Sequence, residues 1–211
     1  MKEIIVSIFC FVLAFGFVSL TETQVITMER FVLVVIFLLT VTVLILFSFR
    51  KLLFGYFRNV DVVKSFLLVS VSLLFHLFVS YILVNYLPQP EWPFSSKDTS
   101  FLLMNDYYVW AKPFDVLVQQ LLILVLVLKL SLLGVSVRKI SILFVFGFGA
   151  IHIFQIFITD LIIGLLFTIG AVFSSLVYPY MIIKKKNGFI YNFMIHLAIY
   201  NIAAILAYTL Y

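Results

Sequence analysis

Cysteine occurs once in the 211 residues, as Cys10, so the chain can build neither an internal disulfide nor a cysteine-based zinc site. Charge is nearly as scarce. Asp, Glu, Lys and Arg make up 11% of the residues, where a soluble domain carries about 25%. Nine acidic residues and three histidines confine any acid–base chemistry to a few positions. Of the five prolines, Pro88, Pro90 and Pro93 crowd into one short stretch, which leaves long segments with nothing to interrupt a helix. Internal repeats, low-complexity tracts and linkers are also missing, so residues 1–211 read as one domain.

What fills the chain instead is hydrocarbon, with 65% of residues hydrophobic and 18% aromatic. Apolar runs of about 20 residues match the length a helix needs to cross a core about 30 Å thick. Seven such runs are predicted: Ile4 to Leu20, Phe31 to Phe49, Phe66 to Leu87, Pro113 to Leu133, Ile140 to Thr159, Leu161 to Ile183 and Phe189 to Tyr211. The fold class expected is an all-α, polytopic membrane bundle. No small-x-small site follows the first run, and Phe9 stands before Cys10 where a lipobox needs a small residue, so that run reads as a retained signal anchor.

Basic residues stay on the cytoplasmic side when loops are short. A cytoplasmic N-terminus and an outside C-terminus place Lys2, Arg50, Lys51, Arg58, Lys64, Lys129, Arg138, Lys139, Lys184, Lys185 and Lys186 inside, and only Arg30, Lys97 and Lys112 outside. Seven of the nine acids fall outside. The net charge of +5 is therefore a topology signal, and nucleic acid is not an expected partner. The one long loop lies outside between spans three and four. Its segment "TSFLLMNDYYVWA" is expected as a short interfacial helix, with Tyr107, Tyr108 and Trp110 as anchoring rings.

Polar residues inside spans are costly in hydrocarbon and face the bundle interior. Span four carries Asp115, Gln119, Gln120 and Lys129. Asp115, Gln119 and Lys129 fall within about 80° of each other on an ideal helix, with Gln120 about 100° from Gln119. Span five carries His152 with Gln155 and Thr159, preceded by Gly147 and Gly149, which admit a close neighbour. Span seven carries Asn192, His196 and Tyr200 on one stripe and Asn201 on another. Singly, such groups act as interhelical glue.

Together, "QQLLIL" at 119–124, "FGAIH" at 148–152 and "KNGFIYNFMIHLAIYN" at 186–201 resemble, in order, the motifs of the CAAX prenyl endopeptidase and bacteriocin-processing family. Those motifs are EExxxR, FxxxH, and a last histidine closely followed by asparagine. The resemblance covers residues 113 to 203 and implies an intramembrane endopeptidase in which glutamate and histidines activate water against a membrane or prenylated peptide. It implies no cofactor. Gln119 and Gln120 take the places of the glutamates, Leu124 that of the arginine, and Phe148, His152 and His196 match. Asn201 comes five residues after His196, about 140° round the helix, and Tyr200 holds the expected face.

A carboxylate accepts a proton from water, whereas a primary amide has no usable protonation equilibrium, and a lost general base costs about 100- to 10,000-fold. The glutamines keep the hydrogen-bonding shape of the pair without its basicity. The chain accordingly reads as a catalytically silent relative. An active endopeptidase would need another base, and Asp115, one turn before Gln119, is the nearest carboxylate, although a solvated place after Pro113 is expected for it. Two histidines among glutamines lack the third firm ligand of catalytic zinc. A transporter would use His76, Asp115, Lys129, His152, Asp160 and His196 as a path, but they are scattered; a membrane scaffold or immunity-type protein would need only a binding surface. With Cys10→Ser as background, a single cysteine at Ser95 should react with an impermeant thiol reagent in intact cells, and one at Asn187 only after permeabilisation. Equal labelling would overturn the orientation.

Overall fold

The computed structural model describes residues 31–88, 107–153, 156 and 161–210, and all regular structure among them is helical. Helix α1 (Phe31–Ser48) and helix α2 (Arg50–Phe57) meet at Phe49 with a bend of 88°. Helix α3 (Val62–Tyr86) follows, capped by Asp61, whose carboxylate accepts the Lys64 N–H at 3.1 Å. A π-helical turn, Tyr107–Ala111, runs directly into α4 (Lys112–Leu132). Then come α5 (Val137–Phe144), a second π turn (Val145–Gly149), α6 (Ala150–Ile153), α7 (Leu161–Lys184) and α8 (Gly188–Leu210).

Four apolar helices are long enough to cross a membrane, namely 62–86, 108–132, 161–184 and 188–210, and the bent α1–α2 pair makes a fifth if counted as one span. The chain is a multi-pass helical bundle, with fewer long spans among the described residues than the seven expected. The run Ile4 to Leu20 lies outside those residues. Of Ile140 to Thr159, the part through residue 153 is helical with the π turn at 145–149 inside it, and residues 154–155 and 157–160 lie outside the description. Large apolar side chains exposed on every outer helix, such as Phe47, Phe66, Phe78, Ile169 and Phe173, mark the lipid-facing surface.

Helix α4 is the centre of the bundle. Over its most apolar stretch 56% of residues are buried, against 28 to 39% for the other three long helices. Its partner α1 presents Val34, Leu38, Val41 and Ile45, a stripe spaced by three or four residues, all buried against it. The last five residues of the segment expected to lie on the surface, Tyr107–Ala111, instead lead directly into this span. Tyr108 is fully buried and only Trp110 is half exposed. Residues 99–106 lie outside the description.

A short turn joins α7 to α8, and Asn187 ties it down. Its amide accepts the Asp61 N–H at 3.4 Å and donates to Asp61 O at 3.1 Å and Ser65 Oγ at 2.8 Å. Phe189 N–H donates to Tyr56 Oη at 3.0 Å, and the Phe57 and Phe189 rings meet edge to face. Asn187 is only 3% exposed, so Lys185, which is exposed, is the better position for a topology label. A Cβ on Gly188 would overlap the Met181 carbonyl, which is main chain and cannot step aside. Gly188→Ala should lower the thermal unfolding free energy in detergent by about 1 to 3 kcal/mol or more, the range for overpacking. An unchanged midpoint would show that the turn relaxes freely.

Candidate functional site

The π turn at 107–111 moves the start of the central span back to Tyr108, which puts Gln119 and Gln120 at the middle of the 25-residue helix 108–132. A span starting at Pro113 would instead leave the glutamines near its outer end. The two amides then part company. Gln119 Nε2 donates along its own helix to Asp115 Oδ1 at 2.9 Å. Gln120, fully buried, donates across the bundle to His196 Nδ1 at 2.8 Å. It is therefore Gln120, and not Gln119, whose amide meets His196.

Asp115 is not solvated, contrary to its expected place at a helix start. It is 3% exposed, and its other oxygen takes a salt bridge from Lys112 Nζ at 3.0 Å. Lys112, counted above among the outer surface charges, is itself 3% exposed, and its ammonium lies 4.0 Å from the centre of the Tyr200 ring. A cation over an aromatic face gains electrostatic attraction, more so when desolvated. The i, i+3 spacing of Lys112 and Asp115 was the available signal for this pair.

His152 depends on the second π turn. Its Nδ1–H donates to Phe148 O at 2.7 Å, which leaves Nε2 with the lone pair of a neutral ring. Phe148 stacks on Phe144 at 5.1 Å. Hydroxyls of α7 lie between their own helix and this segment: Ser175 Oγ is 2.7 Å from Ala171 O and 3.2 Å from Phe144 O, and Thr168 Oγ1 is 2.8 Å from Gly164 O and 2.9 Å from His152 O, each with one proton to share between the two carbonyls. Gly149 lets Val172 of α7 approach, since an added Cβ would sit 3.3 Å from its methyl, whereas Gly147 faces open space.

Gln119, His152 and His196 line one cavity of about 50 Å³, with Tyr178, Tyr200 and Phe148 among its walls and no carboxylate among the described residues that line it. That is room for a water or two at about 30 Å³ each. His196 stacks on Tyr200 at 5.5 Å and leans on Tyr178 at 6.1 Å. Two buried polar atoms here, Gln120 Oε1 and Tyr178 Oη, have no hydrogen-bond partner of good geometry. Tyr178 is held from behind, because Asn192 Nδ2 donates to Tyr178 O at 3.1 Å, one residue before Pro179. Nothing in the sequence pattern singled out Tyr178.

Other residues of the motif point elsewhere. Asn201 is 1% exposed and turns onto α3, where its Oδ1 meets His76 Nδ1 at 2.9 Å; His76 Nε2 faces the carbonyls of Tyr108 and Val109 at 3.2 and 3.3 Å. Tyr200 holds the cavity side, as its helical phase predicts. Leu124 is buried in the α1–α4 core, and Lys129 lies in the last turn of α4, away from the cavity. Gln155, Thr159 and Asp160 lie outside the described residues, which contain no group of three or more His, Cys, Asp or Glu suited to a metal ion. No protein-family model, no curated protein and no solved structure matches the chain.

Chemically, the described lining offers the Gln119 amide, two imidazoles, the Tyr178 and Tyr200 phenols and the Ser174 and Ser175 hydroxyls, a set that binds and orients a polar group and includes no carboxylate. In a double-mutant cycle, Gln120→Leu with His196→Ala should couple by about 0.6 to 2 kcal/mol, the range for interhelical polar contacts. Gln119→Leu with His152→Ala should be additive. Coupling in the second pair and none in the first, measured by thermal or denaturant unfolding in detergent, would reverse the assignment of the two amides.

Proposed function

We propose that the chain is a catalytically silent relative of the intramembrane glutamate proteases of the CAAX prenyl endopeptidase and bacteriocin-processing type. In this reading it has seven spans, a cytoplasmic N-terminus and an outside C-terminus, and it holds a membrane peptide without cutting it. The observation that carries the reading is the convergence of Gln119, His152 and His196, from three sequence-distant segments, on one cavity whose described lining has no carboxylate. The paired amides fill the place of a paired acid, and burial there favours neutral groups over charged ones.

Asp115 is the one carboxylate near this cavity among the described residues, and its surroundings weigh against a working hydrolase. Lys112 and Gln119 occupy one oxygen each, and the group is not in the cavity wall. Leu124, at the arginine position, sits in dry core, so Lys112 is the cation closest to the glutamine site along the helix.

Wild type, reconstituted in vesicles, should not cleave prenylated or unmodified membrane peptides above background. Gln119→Glu places a titrating group in an apolar setting, where desolvation raises a carboxyl pKa. Any activity it gains should need His152 and rise with pH as that carboxyl loses its proton. Wild-type cleavage that survives Gln119→Ala and vanishes in His152→Ala or Asp115→Asn would overturn the silent reading and identify the true base.

A further inference from the structure

Helices α3 and α4 both pack on α8 but barely touch each other, and the cleft between them is a second cavity of about 330 Å³. Its walls include Val69, Leu73, Leu117, Trp110, Phe189 and Phe193. The imidazole of His76 also borders it, but both ring nitrogens are committed, to Asn201 and to the carbonyls of Tyr108 and Val109. A water needs two to four polar partners. Beyond the Trp110 indole N–H the cleft supplies almost none, although its volume is about eleven times a water's share of ~30 Å³. It is a place for hydrocarbon.

One end of this cleft opens on charge. Phe189 directly follows the α7–α8 turn, where Lys184, Lys185 and Lys186 are all exposed. Asn187 fastens that turn to the start of α3, which brings Arg58 and Lys64, also exposed, to the same end. Asp61 is the one acidic residue among the described residues at this rim, and its carboxylate is occupied capping α3. Between the cations stand Phe54, Val62, Val63 and Phe66, each more than 70% exposed. Cations interleaved with bare apolar side chains suit a lipid interface; a soluble polyanion would leave the apolar side chains uncovered. From Val69 the wall of the cleft continues along α3 through Leu73 to Leu77, about 12 Å at 1.5 Å per residue.

We infer that this end of the bundle binds an anionic phospholipid, with its phosphate headgroup on the Lys184–Lys186 turn and the Arg58 and Lys64 side chains, and one acyl chain in the α3–α4–α8 cleft. A second copy of the chain would bring the same positive rim against itself. A peptide would carry backbone N–H and C=O groups into walls that cannot pair them. The site is separate from the Gln119–His152–His196 cavity and stands or falls independently of the protease-like reading.

The test uses the full chain, purified in detergent and stripped of lipid, with thermal unfolding followed by circular dichroism. Added phosphatidylglycerol should raise the midpoint by about 2 to 4 °C or more, a mass-action shift of native-state binding. Phosphatidylcholine and free glycerol phosphate should each give little of that shift, the first lacking net charge and the second lacking the chain. The triple variant Lys184→Gln, Lys185→Gln, Lys186→Gln should unfold normally without lipid and lose most of the response. Leu73→Trp, which fills the cleft, should lose it with the lysines intact. Native mass spectrometry of the same samples should show one phosphatidylglycerol retained by wild type and not by either variant, a readout that stands if Leu73→Trp shifts the lipid-free midpoint. Equal responses to both phospholipids, a full response to glycerol phosphate, or retention that survives either variant would overturn the inference.

Discussion

A polar side chain among hydrocarbon-facing helices has to find its partner inside the bundle, and that one constraint arranges the protein. Each buried polar group of the central helix is settled differently. Lys112 and Asp115 neutralise one another, Gln119 leans back on Asp115, and Gln120 reaches across to His196. Ser175 and Thr168 on α7 share their hydroxyls between their own helix and the carbonyls of the fifth segment, and Asn192 serves the backbone ahead of Pro179. Apolar packing brings the helices together, but in a surrounding as oily as the core it does little to choose their register. The polar pairs fix which residue faces which.

The buried ion pair shows how finely this balance is set. Removing two charges from water costs several kcal/mol per ion, and only close geometry with extra contacts recovers it. Here the extra contacts exist, in the Gln119 amide and the Tyr200 ring. The pair therefore belongs to the architecture of α4 and Tyr200, and it holds Gln119 at the cavity wall by gripping the carboxylate on which that amide rests.

The solvent, the helical class and most apolar spans were legible in the sequence because hydrocarbon thickness fixes length and composition together. Helical phase also separated Tyr200 from Asn201 correctly, since that difference depends only on 100° per residue. Phase also set Gln120 apart from Gln119, and the two amides do go separate ways, but it gave no sign that Gln120 is the one to reach His196. Lys112 and Tyr108 were assigned to the outer surface because a π turn, which no pattern of apolar residues announces, starts the span early. The same blindness hid the break ahead of His152. Tyr178 carried no signal because an aromatic residue in an apolar run looks like packing until a cavity is seen beside it.

The π turn at Val145–Gly149 has a consequence for how this segment tolerates changes of length. Such a turn accommodates one residue more than an α-turn, so it is where a helix absorbs an insertion without unravelling. Losing a single residue from it would leave a continuous and more regular helix, better hydrogen-bonded than before. His152 would meanwhile turn by about 100° and leave the cavity. At this point in the chain a deletion that improves the helix disassembles the site, so local regularity and the shared polar cavity pull in opposite directions.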